Sequence, residues 1–371
     1  MRRKATTVLT VALAGSVLVA VPASGAGTTA QVKAKAKAKA AARWRNVSSK
    51  ALKTGGSLDH IDVVSRTSAF AIGSEGAKAK LLRWNGKSWQ RQKSSWNFIP
   101  TGIAAAGPKK AWAIGLAGNK SAALYWNGKS WKKVAYASPP LAGVIPALPA
   151  QIAAAKDGAA FSIASFNAYN GGLSSLMRWN GARWVPVRVP MPVNTSLTAV
   201  SVRSKKDVWV GGTVPNAATH ALPVSWHWNG KSWKKISIPG DWGLAGTQQN
   251  TMTDLLAVGA KSVWALRAQG RGGLLHWNGS AWREVGTPLG VEPYRLAADG
   301  RGGVWVLPVP TGAKKTRYLH WSGRWTVVSG PGRSGATKPV DLDWMPGTKY
   351  AVSVGSSSPK GSPLPIIEVF R

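Results

Sequence analysis

The chain has 371 residues, no cysteine, and 49 lysines and arginines against 13 aspartates and glutamates, a formal net charge of +36. Disulfides, thiolate metal sites and thiol catalysis are excluded, so the fold must be held by packing alone. A surface this positive repels itself and attracts polyanions, which bears on partners rather than on fold.

Residues 1–26 read as a signal peptide. Arg2, Arg3 and Lys4 form a positive start, Ala5 to Val21 form an apolar stretch diluted by Thr, Ser and Gly, and Ala23 or Ala26 precedes the cleavage point. The stretch is short for a membrane span, and the paired arginines lack the apolar residues of a twin-arginine signal. General export is therefore expected, with the mature protein secreted and available to the cell wall. Residues 27–42 alternate Lys and Ala from Lys33 to Ala40, which places charge on no consistent helical face, and they read as a flexible basic arm. The domain proper is residues 43–371, where no second apolar stretch is long enough to cross a bilayer.

Self-similarity decides the fold. The string Trp-Asn-Gly-x-x-Trp begins at Trp84, Trp126, Trp179, Trp228 and Trp277, and a shortened copy runs from Trp321 to Trp325. The intervals of 42, 53, 49, 49 and 44 residues are the length of a four-stranded propeller blade. Each copy is flanked by β-prone residues, as in Leu81-Leu82-Arg83 and Lys132-Lys133-Val134, so it reads as a hairpin with Asn-Gly in its bend. A two-residue loop pairs Leu82 with Trp89, whereas a four-residue loop pairs Trp84 with Trp89. Either register puts both indoles on one face, against the neighbouring blade.

Upstream of each hairpin an aromatic strand recurs, marked by Phe70, Trp112, Phe161, Trp209, Trp264 and Trp305. Nine residues before each stands Ile61, Ile103, Ile152, Val200, Leu255 or Leu296. A seventh upstream half spans Leu342 to Val354, with Tyr350 as its expected aromatic, and a third strand follows at Pro365 to Phe370. The missing fourth strand lies at the other terminus, where Arg43-Trp44-Arg45-Asn46-Val47 matches the strand after each hairpin. The expected fold is thus all-β: a single β-propeller of seven four-stranded blades, the last closed by the N-terminal strand.

The pattern resembles the secreted bacterial β-propellers that repeat a Trp-Asn-Gly-x-x-Trp hairpin, over residues 43–371. Gly86-Lys87-Ser88-Trp89 and Gly128-Lys129-Ser130-Trp131 are also similar to the second half of the Asp-box of sialidase-like propellers. Trp84 and Trp126 stand where that motif needs aspartate. The kelch double glycine occurs once, at Gly211-Gly212, and the WD40 signature is absent. Because propellers host unrelated functions, the resemblance implies architecture and not activity.

No HExxH, GxSxG or phosphate-loop motif occurs, and no cofactor or metal is expected. His227, His276 and His320 all precede a hairpin tryptophan, a position that other blades fill with Arg83, Tyr125 or Arg178, so they read as solvent-facing strand residues. Asp157, Asp207 and Asp299 fall in turns before the aromatic strand. Asp59, Asp62, Asp254, Asp341 and Asp343 fall on or beside inner strands, around the channel. Most tryptophans are architectural. The connections between blades and the middle loop of each blade share one face, which carries Trp96, Asn97, Phe98, Tyr169, Asn170, Asp241, Trp242, Gln248, Gln249, Asn250, Tyr294 and Arg295. Within that group Trp96, Asn97, Tyr169, Asp241, Trp242 and Tyr294 are the candidate ligand-binding residues, aromatics for stacking beside polar groups for hydrogen bonds.

The leading functional expectation is a non-catalytic binding or scaffold propeller at the cell envelope, monomeric, contacting an anionic polymer, a glycan or a protein. The alternative is a carbohydrate-active hydrolase or lyase using acids such as Asp59, Asp254 or Glu292. Nucleic acid is expected to bind only nonspecifically, because pairs such as Lys132-Lys133, Lys205-Lys206, Lys234-Lys235 and Lys314-Lys315 recur at repeat positions instead of forming one stripe.

Overall fold

The computed structural model describes residues 42–53, 55–76, 78–93, 97–137, 148–165, 174–214, 222–238, 251–268, 273–288 and 290–371. They form seven four-stranded antiparallel sheets, and the helical pieces among them are single 3-10 turns at Lys50–Leu52 and Pro359–Gly361. The first strand, β1 (Trp44–Asn46), belongs to the last blade. Blade 1 is β2 (His60–Ser65), β3 (Ser68–Glu75), β4 (Lys78–Trp84) and β5 (Trp89–Arg91). Blade 2 is β6 (Ile99–Gly107), β7 (Lys110–Ala117), β8 (Lys120–Trp126) and β9 (Trp131–Val134). Blade 3 is β10 (Leu148–Ala154), β11 (Ala160–Ser165), β12 (Ser174–Trp179) and β13 (Trp184–Val187). Blade 4 is β14 (Ser196–Ser204), β15 (Asp207–Val214), β16 (Leu222–Trp228) and β17 (Trp233–Ser237). Blade 5 is β18 (Thr251–Gly259), β19 (Ser262–Ala268), β20 (Gly273–Trp277) and β21 (Trp282–Glu284). Blade 6 is β22 (Pro293–Ala298), β23 (Val304–Pro308), β24 (Lys315–Trp321) and β25 (Trp325–Gly332). Blade 7 is β26 (Ala336–Trp344), β27 (Ala351–Ser358), β28 (Leu364–Phe370) and β1. The inner strands β2, β6, β10, β14, β18, β22 and β26 touch in that order and β26 returns to β2, so the blades close into a seven-bladed propeller.

The hairpin takes the four-residue register. Trp84 pairs with Trp89, and the same pairing joins Trp126 to Trp131, Trp179 to Trp184, Trp228 to Trp233 and Trp277 to Trp282. Asn85 is selected because its side-chain oxygen accepts the backbone N–H groups of Lys87 at 3.0 Å and Ser88 at 2.9 Å, an Asx turn. Gly86 is selected because the bend needs φ = +90°. In blade 6, Trp321 and Trp325 pair across three residues with Gly323 in the left-handed position.

The core is not one mass but seven layers, one between each pair of neighbouring blades. The aromatic strand of one blade receives the indole pair of the next. Phe70 meets Trp126 and Trp131 edge-on at 6.2 and 6.0 Å, Trp112 meets Trp179 and Trp184 at 5.9 and 6.3 Å, and Trp209 meets Trp277 and Trp282 at 5.8 and 6.2 Å. Edge-on packing sets the positive rim of one ring against the negative face of another and adds to area burial.

Ring closure matches the sequence expectation. β1 pairs with β28 through Trp44 and Phe370, Arg45 and Val369, and Asn46 and Glu368. Trp44, 3% exposed, stacks on Tyr318 of blade 6 at 3.7 Å and meets Trp305 edge-on at 5.5 Å, so it acts as the second indole of a hairpin whose first is replaced by Phe370. One detail differs. Phe370 pairs with Ala351 as Trp84 pairs with Ala69, so the seventh aromatic position is held by Val352, not Tyr350. Tyr350 lies just ahead of β27, half-buried, with the Arg66 guanidinium 5.7 Å from its ring.

Candidate functional site

The inner strands surround a channel of about 280 Å³. Each inner strand is the edge of its own sheet, so its outward N–H groups have no ladder partner. Polar side chains of the preceding blade supply that partner. Asp341 accepts the Ile61 N–H at 2.9 Å and Asp343 accepts the Val63 N–H at 2.6 Å, joining blade 7 to blade 1. Asp62 accepts the Ala105 N–H at 3.1 Å, Gln151 the Val200 N–H at 3.3 Å, Ser201 the Ala257 N–H at 3.0 Å and Asp254 the Leu296 N–H at 2.8 Å. Between blades 2 and 3 the direction reverses, and the Thr101 hydroxyl donates to the Pro149 carbonyl at 2.6 Å. Four of the chain's carboxylates thus work as clamps between blades.

Their electrostatics follow from position. They line the channel and are partly buried there. Burial pushes Asp62 up to about 7, against the lowering effect of the Ala105 N–H, and Asp341 adds to the rise. Burial likewise holds Asp343 well above the usual carboxylate range, with the charge of Asp62 next in importance, because two close carboxylates cannot both ionise cheaply. Asp254 rises to about 6 through burial even though Arg295 and two backbone N–H bonds oppose it. Arg295, on β22, is the channel's guanidinium: Asp254 and Asp341 hold its proton more tightly than burial loosens it. Among the described residues no group of three or more His, Cys, Asp or Glu is placed to hold a metal ion.

The sequence candidates are dispersed. Trp96, Tyr169, Asp241 and Trp242 lie outside the described residues, as do Asn170, Gln248, Gln249 and Asn250. Asn97 is exposed just ahead of β6. Phe98, expected beside it on the loop face, is instead 1% exposed in the layer between blades 1 and 2, where an apolar ring gains more from packing than from solvent. Tyr294 and Arg295 are not in a loop: both belong to β22, with the guanidinium 4.2 Å from the Tyr294 ring centre. Of the three acids named for hydrolysis, Asp254 lines the channel, Glu292 is exposed before β22, and Asp59 accepts the Ser57 hydroxyl at 2.8 Å outside the channel lining.

The three strand histidines share one role. His227 and His320 reach Asp207 and Asp299, each at 2.9 Å, and His276 reaches the Ser262 hydroxyl at 2.9 Å. Each ring stacks on the neighbouring Trp209, Trp305 or Trp264 at 4.4, 4.4 and 4.1 Å. They are therefore half-buried struts between strands, not solvent-facing positions. Burial alone would raise Asp207 and Asp299, but the histidine bonds and neighbouring donors outweigh it and hold both below the usual value.

The feature that sequence reasoning left scattered is the turn face. In a four-stranded meander the first and last turns fall at the same end, and indole bonds tie them together: Trp84 Nε1 donates to Arg66 O at 2.9 Å, Trp126 to Pro108 O at 3.2 Å and Trp228 to Lys205 O at 3.1 Å. Both turns carry cations. Exposed Arg66 and Lys87 stand on blade 1, Lys109 and Lys129 on blade 2, Lys156 and Arg183 on blade 3, and Lys206 and Lys231 on blade 4. Lys261 on blade 5, Arg301 and Arg324 on blade 6 and Lys349 on blade 7 complete a ring. The acids at this end are committed: Asp157 accepts the Ala159 and Lys205 N–H groups, and Asp207 and Asp299 hold their histidines. Such a ring projects one sign of potential over a whole face.

No protein-family model and no curated protein matches the sequence. Solved structures resemble it in fold. A catalytically inactive virginiamycin B lyase from Staphylococcus aureus, solved with quinupristin, superposes with TM-score 0.62 at 10% identity, covering 89% of this chain and 100% of that one. The WD40 β-propeller domain of Doa1 gives 0.56 at 11% identity over 89% and 97%. YCF48 from Cyanidioschyzon merolae gives 0.55 at 16% over 89% and 99%. These similarities establish the propeller and reach no further than the fold.

Proposed function

We propose that this chain is a non-catalytic binding propeller that is exported and held at the cell envelope by an anionic polymer lying across its turn face. The observation that carries the reading is the ring of exposed lysines and arginines on that face, with its acids already engaged in internal bonds. The channel acids favour binding over catalysis, since Asp62, Asp254, Asp341 and Asp343 each already accept a backbone N–H of the next blade. Moving any of them for chemistry would release a blade contact.

Co-sedimentation of the mature protein with purified cell walls across a salt series tests this. Replacing Lys87, Lys129, Lys231 and Lys261 with glutamate should abolish pelleting at low salt. Each lost contact should lower the slope of log affinity against log salt by roughly 0.7–0.9, the value for condensed polyanions. The same four-fold charge change at Lys132, Lys133, Lys234 and Lys235, on the outer strands β9 and β17, should have a much smaller effect. Equal losses from the two variants would show that net charge, and not this face, does the binding.

A further inference from the structure

Between blades 3 and 4 the layer is open to one side. The second indole of the pair is buried at Trp89, Trp131, Trp184, Trp282 and Trp44, which are 7, 7, 0, 3 and 3% exposed, and is only partly buried at Trp233 and at Trp325 of blade 6. Trp228, the partner of Trp233, is also only partly buried. Phe161 of blade 3 and the fully buried Trp226 of blade 4 pack in the same layer. Beside them a cleft of about 650 Å³ is left open, within the range of small-ligand sites.

The chemistry of the walls points to one class of occupant. Trp228 and Trp233 lie on one side, centroids 5.6 Å apart and tilted by 45°. Lys110, Arg178, Arg188 and Lys205 line the rest, and no Asp or Glu is among the described lining residues. Arg178 occupies the strand position at which, between blades 1 and 2, Arg83 sits 5.5 Å over Trp126 of the next blade; here it is exposed at the cleft. Two guanidiniums offer paired donors to a carboxylate or phosphate. A tilted indole pair presents an angled apolar platform, which suits the C–H face of a puckered sugar ring better than the parallel sandwich a flat base requires.

From these features we infer that the cleft between blades 3 and 4 is a binding site for an acidic sugar residue, its ring against Trp228 and Trp233 and its anionic group between Arg178 and Arg188. This rests on the polyanion reading above and names the sugar chemistry that the turn face would hold at one point.

The test is calorimetry at 0.5 M salt, where long-range attraction is screened within a few ångströms and a fitted site is not. The probes are hexagalacturonate for the carboxylate form, glucose 1-phosphate for the phosphate form, neutral maltohexaose and an eight-residue oligothymidylate. One of the acidic sugars should bind. Arg178→Ala and Arg188→Ala, both at exposed positions that leave the fold alone, should each weaken it about tenfold, the usual loss when a charge-assisted hydrogen bond is removed. Trp233→Ala should do the same, and Trp325→Ala, its counterpart in blade 6, should not. Equal binding of maltohexaose, tighter binding of the oligothymidylate, no binding of either acidic sugar, or indifference to the arginine changes would each overturn the assignment. Wall pelleting at low salt by the Arg178→Ala protein separates the two readings. If pelleting persists while calorimetry fails, only the cleft is lost; if the turn-face lysine variants also pellet normally, the polyanion reading falls with it.

Discussion

Replacing Glu368 with alanine should loosen the closed ring at a buried charge. Glu368 is 1% exposed on β28; Oε2 accepts the Tyr318 hydroxyl of blade 6 at 2.8 Å, and Oε1 accepts the Arg333 guanidinium at 3.1 Å. Alanine leaves a fully buried hydroxyl without its carboxylate and a largely buried guanidinium without a counter-charge. Removing one partner of such a pair costs about 3–5 kcal/mol. The folded unit spans Ala42–Arg371, and with an unfolding entropy of about 2.1 cal/mol/K per residue that loss lowers the melting midpoint by about 4–7 °C. Tyr318→Phe keeps the stack on Trp44 and should cost about 1 kcal/mol. Because the two changes break the same bond, the double variant should fall short of the sum by about 1 kcal/mol. Melting followed by near-ultraviolet circular dichroism at constant pH and salt measures all four proteins. A Glu368→Ala midpoint within 1 °C of the parent, on the order of the error of a melt, would refute the assignment of closure energy to this cluster.

Two further outcomes are expected. Folded Asp62 titrates at about 7 and Asp254 at about 6, against 3.8 for the free side chain, so between those values the folded state keeps protons that the unfolded chain releases. Their contribution is fully present below pH 4 and is lost as pH rises through 7; the lowered Asp207 and Asp299 act only in stronger acid. The melting midpoint should therefore rise as pH falls from 8 to 5, and Asp62→Asn should flatten the curve; an unchanged slope in that variant counts against the channel acids as its source. At Gly212 an added Cβ would lie 2.0 Å from Ser196 O and must push backbone aside, whereas at Gly181 it meets nothing within 4 Å. Gly212→Ala should lose about 1–3 kcal/mol in urea unfolding and more than Gly181→Ala, whose cost is only that of a left-handed alanine; the reverse order would show that close backbone approach is not what selects the glycine.

How much was legible in the residues varies with the range of the interaction. Blade number, the hairpin bend and the closing strand at Trp44 were all readable, because the Asn-Gly turn and the paired indoles are local signals repeated often enough to count. The position of Tyr350 was misread because only strand register distinguishes it from Val352. Three sets of residues became intelligible only in three dimensions. Asp62, Asp254, Asp341 and Asp343 clamp backbone groups of other blades, so nothing in their own neighbourhood announces the role. The lysines of the turns were visible as recurrent but not as one face, since the meander alone brings the first and last turns of blades 1 to 6 to the same end. The open cleft beside Trp233 is walled by residues of two blades, so it exists only once their surfaces meet. Repetition in the sequence determined the architecture because each blade solves the same local problem; the sites lie between blades, and contacts between blades exist only after the ring has closed.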